Sequence, residues 1–133
     1  MSYIKPGDAI IRKKFGFWGN FYIHWGLYIR DTEPEIIEKQ DIGVRQIAFG
    51  RFHKDMPYTV IPYTGDDPRE LVIERALARA DDKNFAALND NCESFVKYCQ
   101  TGKTPISRQI TASLTLIAIG FLALLWAIIQ IIW

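Results

Sequence analysis

Apolar and polar residues alternate most cleanly from Phe21 to Arg30. Phe21, Ile23, Trp25, Leu27 and Ile29 fall on one face, and Tyr22, His24, Gly26 and Tyr28 on the other. A period of two is that of a β-strand with one side toward a core. Pro6-Gly7 is a turn signal, and a short strand is expected after it over Ala9 to Arg12. The aromatic, glycine-containing stretch Phe15 to Asn20 suits a loop. Asp31-Thr32-Glu33-Pro34 turns the chain, so Glu35 to Lys39 reads as the next strand of a hairpin. Val44 to Phe49 and Tyr58 to Tyr63 complete a sheet of about five strands, a typical size.

Helical spacing takes over further along. Asp67-Pro68-Arg69-Glu70 places a cap residue, a proline in the first turn and a glutamate at the third position, predicting a helix to about Ala80. Ile73, Leu77 and Ala80 would share its inner side. After a polar loop from Asp81 to Asp90, Asn91 is a strong N-cap residue, and Phe95, Val96, Tyr98 and Cys99 follow at helical spacing. Thr101-Gly102 ends that helix. Strands first and helices last make the class α+β, a small antiparallel sheet packed with helices.

The pattern then changes character. No charged residue occurs from Gln109 to Trp133, and Ala112 to Trp133 is almost wholly apolar. A bilayer core of about 30 Å takes about 20 such residues as a helix, so this stretch predicts one transmembrane anchor. A small domain cannot easily hide a helix that is apolar on every side. The expected division is a catalytic domain over 1–103, a linker over 104–109 and an anchor over 110–133. Lys97, Lys103 and Arg108 precede the apolar run, and the positive-inside tendency then keeps the globular part in the cytoplasm, held as a C-terminally anchored protein.

Charge narrows the function classes. The formal net charge is +1, and no basic stripe interleaved with aromatics appears, so nucleic-acid binding has no electrostatic footprint. Arg12-Lys13-Lys14 is one short basic cluster, either a solvated strand end or a contact for anionic headgroups. Two cysteines in a cytoplasmic domain predict free thiols rather than a disulfide framework. Cys92 and Cys99 lie too far apart for a zinc knuckle, so neither a metal site nor a cofactor is expected.

The candidate chemistry starts at Asn91-Cys92. A thiol in the first turn of a helix sits near unpaired N–H groups and the positive end of the helix dipole, and both favour thiolate. Such a nucleophile needs a base. His24 is the best candidate, provided the cysteine helix packs across its strand face, where Gly26 would leave open space. The plainer reading is a half-buried, hydrogen-bonded histidine. His53, in the polar stretch Phe52-His53-Lys54-Asp55, reads as a surface loop residue. Cys99, two turns beyond Cys92, reads as packed rather than reactive.

His24-Trp25-Gly26-Leu27-Tyr28-Ile29 followed by Asn91-Cys92-Glu93-Ser94-Phe95-Val96 resembles the lecithin:retinol acyltransferase-like proteins, a circularly permuted branch of the papain-like thiol hydrolases. Pro6-Gly7-Asp8, Arg75-Ala76 and the C-terminal apolar segment add to the resemblance, which spans residues 6 to about 100. It implies that Cys92 attacks an ester carbonyl and holds the acyl group as a thioester. His24 would act as the base, and the substrate would be a membrane phospholipid or other lipid ester. It also implies an assisting role for Tyr22, for which simple packing on the sheet is the plainer reading. Two departures stand out. Ser94 occupies the place of a histidine in the family's usual cysteine box, which predicts altered packing or specificity. Phospholipid-cleaving relatives carry a further histidine on the strand after the base; Glu38 is the nearest counterpart here, as a carboxylate orienting His24 or else as an exposed edge charge. Two rival functions share these residues: a thiol amidase or peptidase, and a catalytically silent membrane-bound interaction module. The sequence leaves the oligomeric state open.

Overall fold

The computed structural model describes residues 3–15, 21–40, 42–81, 91–103 and 108–133. Outside them lie 16–20 of the loop expected over Phe15–Asn20, 82–90 of the loop expected over Asp81–Asp90, and 104–107 of the linker expected over 104–109. Five strands, β1 (Ala9–Phe15), β2 (Phe21–Tyr28), β3 (Ile36–Gln40), β4 (Gly43–Ile47) and β5 (Tyr58–Ile61), form one sheet in the order β4-β3-β2-β1-β5. Every neighbouring pair is antiparallel. The class is α+β, as the order of patterns predicted.

Strand β1 runs to Phe15, beyond the expected Arg12, because Lys13, Lys14 and Phe15 continue the ladder opposite Ile23, Tyr22 and Phe21. The expected strand Val44–Phe49 stops at Ile47, and Phe49–His53 forms a short helix, α1. His53 therefore closes a helix rather than sitting in a loop. Five residues carry no readable period; what fixes this turn is Phe52, fully buried against the sheet.

Helices α2 (Arg69–Ala78) and α3 (Cys92–Thr101) cover the other face. The expected cap Asp67 makes no cap bond: Pro68 stands at the N-cap, and the Asp67 carboxylate instead accepts from Arg75 at 2.7 Å. Val72 and Ala76 are the fully buried residues of α2; of the expected row Ile73 and Ala80 do pack against the core, while Leu77 is exposed. Leu71-Val72-Ile73 are consecutive apolar residues, so their order alone does not choose the inner face. Leu27, Ile29, Ile37, Val44, Val72, Ala76, Phe95, Val96 and Cys99 form the main core. A smaller cluster of Ile10, Ile36, Ile47 and Phe52 lies on the α1 side.

Helix α4 spans Arg108–Ile132, and Leu114–Ile132 is long and apolar enough to cross a membrane. None of that window is buried against the rest of the protein.

Candidate active site

Helix α3 begins where the sequence placed it, and tightly. The Asn91 side chain accepts from the Ser94 N–H at 3.0 Å, while Ser94 Oγ accepts from the Asn91 N–H at 2.8 Å. This is a reciprocal capping box with serine at the third position, so Ser94 closes the helix start beside the cysteine. The spacing Asn91-x-x-Ser94 carried that signal. Gly102, in the left-handed region, ends the helix.

The cysteine helix does not cross the His24 face. Its Phe95, Val96 and Cys99 pack with Leu27, Ile29 and Ile37, on the face bearing Trp25. His24 lies on the opposite face, where Phe52 of α1 stacks on its ring at 5.5 Å between centroids. Nor does Gly26 leave open space: a Cβ there would lie 2.6 Å from Phe52 Cε2, so the glycine admits the Phe52 ring. Large apolar residues on the β2 face drew the apolar helix to themselves, because that burial dominates packing.

Cys92 approaches the histidine from the strand's edge instead. On the β1 side the Tyr28 N–H donates to the Asp8 carbonyl and the Tyr28 carbonyl accepts from Gly7, whereas the Ile29 N–H donates to Glu35 on the β3 side. By the period of two, Ile23 and Trp25 direct their backbone groups toward the β3 side. Yet β3 pairs with β2 only from Gly26 to Tyr28. The thiol fits beyond that point: Sγ donates to the Ile23 carbonyl at 3.9 Å and receives the Trp25 N–H. These are the two residues flanking His24. Among the described residues, the hydrogen bond of the thiol goes to this carbonyl rather than to the imidazole.

Behind His24 stands Glu38. Gly26 is the register partner of Glu38, which puts His24 on the diagonal of the same face. His24 Nε2 lies 2.7 Å from Glu38 Oε2, both side chains being almost fully buried at 2% and 1% exposure. The other carboxylate oxygen, Oε1, accepts from Arg45 Nε at 3.0 Å and from Gln40 Nε2 at 3.0 Å. Arg45 Nη2 adds an ion pair at 2.9 Å to the same oxygen. Arg45, Gln40 and Phe52 were not singled out from the sequence; the hairpin register Glu38↔Arg45 is the signal that would have found the arginine.

Protonation follows from these surroundings. Burial alone would push the Glu38 carboxyl up, but its bonds to His24 and Arg45 outweigh this and hold it below its ordinary value. Burial lowers the affinity of His24 for its proton, against the pull of Glu38, and the Lys14 and Arg12 charges lower it further. An ionised carboxylate only accepts, so Nε2 carries the imidazole proton and Nδ1 keeps a lone pair. The thiol differs from expectation: burial pushes Cys92 up, although N–H groups of Trp25 and Glu93 and the Lys14 charge pull it down. A helix start favours thiolate, but here desolvation wins. The resting state is thiol, neutral imidazole and carboxylate.

Tyr22 sits on the His24 face at the sheet margin, exposed, with Lys14 Nζ 5.8 Å over its ring. Cys99 is fully buried and pushed up to about 12, chiefly by burial. His53 bonds the Asp55 N–H and stacks among Phe49 and Tyr58, away from the thiol.

Comparison with known proteins adds a family. No curated protein and no solved structure matches the chain. The family model described as lecithin retinol acyltransferase matches residues 35–105. The matched stretch runs from the start of β3 through α3 and so takes in Glu38 and Cys92, while Tyr22 and His24 precede it. With the α+β sheet and the capped cysteine helix in place, the chain belongs to the lecithin retinol acyltransferase family, whose activities are of the acyltransferase and hydrolase type.

Proposed function

We propose that this protein is a membrane-held thiol acyl hydrolase or acyltransferase that opens phospholipid or other lipid esters through a thioester on Cys92. The observation that carries the reading is the buried 2.7 Å His24–Glu38 pair, set beside a thiol resting on the backbone of the residues flanking His24. When substrate binds, Sγ leaves the Ile23 carbonyl and gives its proton to His24 Nδ1. It then attacks the ester carbonyl carbon. Glu38 orients the ring and stabilises the imidazolium, as a carboxylate does in serine triads. The Cys92 N–H at the start of α3 donates to the developing oxyanion. Collapse breaks the bond to the alcohol, which takes the proton from His24 and departs. Water or a second lipid then gives up a proton to the same imidazole and cleaves the thioester, regenerating the thiol. Tyr22, at the margin of this face, borders the substrate.

Residues 1–103 carry this chemistry on the cytoplasmic side, 104–109 link, and 110–133 anchor the domain beside its substrate. The experiment is hydrolysis of phospholipid in mixed micelles by the full chain. Fatty-acid release that disappears in Cys92→Ala and His24→Ala supports the reading. Release unchanged in Cys92→Ala, or none from the parent protein, refutes it; cleavage of amide substrates alone would favour the amidase.

A further inference from the structure

Glu38 is a carboxylate almost fully buried, and a buried charge is held only by partners that replace its water. Its two oxygens are used differently. Oε1 gathers Arg45 Nε, Arg45 Nη2 and Gln40 Nε2, all within 3.0 Å. Oε2 faces His24 Nε2 at 2.7 Å. Arg45 reaches this place because it is the direct cross-strand partner of Glu38 in the β3–β4 hairpin. It is more than a third exposed, so its guanidinium bridges solvent and the buried carboxylate.

We propose that Arg45, aided by Gln40, is a positioning residue: by occupying Oε1 it keeps Glu38 ionised inside the fold and reserves Oε2 for His24. This rests on the assignment of His24 as the base. Among the described residues, the charged and titratable groups around the pair are few. Arg12 and Lys14 approach the imidazole from β1, Glu38 from β3, and Arg45 reaches the carboxylate from β4. Helix α1 brings the uncharged Phe52 ring, and α3 the Cys92 thiol at the Ile23 carbonyl. Arg45 therefore acts after His24 in holding Glu38 ionised, and it does so through the oxygen that His24 does not use. Removing Arg45 raises the affinity of the coupled pair for a proton, whichever member holds it.

The test is nitrogen-15 NMR titration of the imidazoles in the full chain in detergent micelles. The two histidines are His24 and His53, so His53 is the internal control. Arg45→Met raises the His24 midpoint by about one pH unit, the lower end for loss of a nearby opposite charge on its partner. Arg45→Lys restores most of the midpoint, while ester turnover stays about tenfold down, since an ammonium lacks the fork. A purely structural role would lower stability and leave the midpoint in place. A His24 midpoint unmoved in Arg45→Met overturns the proposal. If that variant does not fold, Arg45→Gln is titrated instead under the same criterion. Absence of an acyl-enzyme in the parent protein would refute the thiol mechanism without touching this readout.

Discussion

The two faces of the sheet are held together in opposite ways. Toward α2 and α3 the contacts are mainly Leu27, Ile29, Ile37, Val72, Phe95 and Val96, an apolar layer stabilised by burial. Toward α1 the same strands present His24, Glu38 and Arg12, buried polar groups that stand only because each finds a partner. The apolar face fixes the fold and carries the helix bearing the Cys92 thiol, while the polar face carries His24, the proposed base. The thiol rests on the Ile23 carbonyl at the edge of β2, where β3 has stopped pairing with it. Under the proposed function, a single strand thus divides stability from chemistry by side-chain parity.

The sharpest way to break that division is to attack each face separately. His24→Ala should cut ester turnover by about 10³-fold or more while the chain stays folded, as measured by initial rates alongside circular dichroism; loss of a member of a catalytic constellation has effects of that size. Phe95→Ala should do the reverse. It removes a fully buried ring from the apolar layer and should cost about 3–5 kcal/mol in urea unfolding. Any remaining folded fraction should keep its turnover per molecule.

Gly26→Ala probes the contact between the two roles. The new methyl would meet Phe52 Cε2 at 2.6 Å and Ile36 Cγ2 at 3.0 Å, so the ring must shift from His24. Overpacking of this kind costs about 1–3 kcal/mol. Turnover should fall as well, and Phe52→Leu in the same chain should recover part of the stability. Asn91→Ala should cost about 1 kcal/mol through loss of the cap.

Acid offers the gentlest separation. His24, Glu38 and Asp8 all have proton affinities below their ordinary values of 6.5, 4.5 and 3.8. A group depressed in the folded state contributes stability above its unfolded value and loses it as pH falls. The urea midpoint should therefore begin to fall below about pH 6.5 through His24, and again below about pH 4.5 through the carboxylates. His24→Gln should remove the first limb and keep the second.

The sequence made one face far more legible than the other. Alternation from Phe21 to Ile29 and the cap at Asn91 identify β2 and α3 because period and capping are local. Which face α3 covers is not local, and the expected meeting across the His24 face failed because the apolar face outcompetes it. Helix α1 was missed since a single turn has no period, and with it the Phe52 ring that fills the space beside Gly26. The acidity of Cys92 was misjudged in the same way: the helix start is visible in the sequence, the burial that offsets it is not. Glu38 was named through the family resemblance, as the counterpart of a histidine on that strand, but only the register brings Arg45 to it.

The most direct measurement is intact mass spectrometry of the full chain, quenched in acid during turnover of phospholipid in micelles. The expected result is a mass increase of one acyl group, mapped to Cys92, absent in Cys92→Ala and accumulating only when His24 is present. A chain that releases fatty acid with no adduct on Cys92, or an adduct that forms equally in His24→Ala, would contradict it.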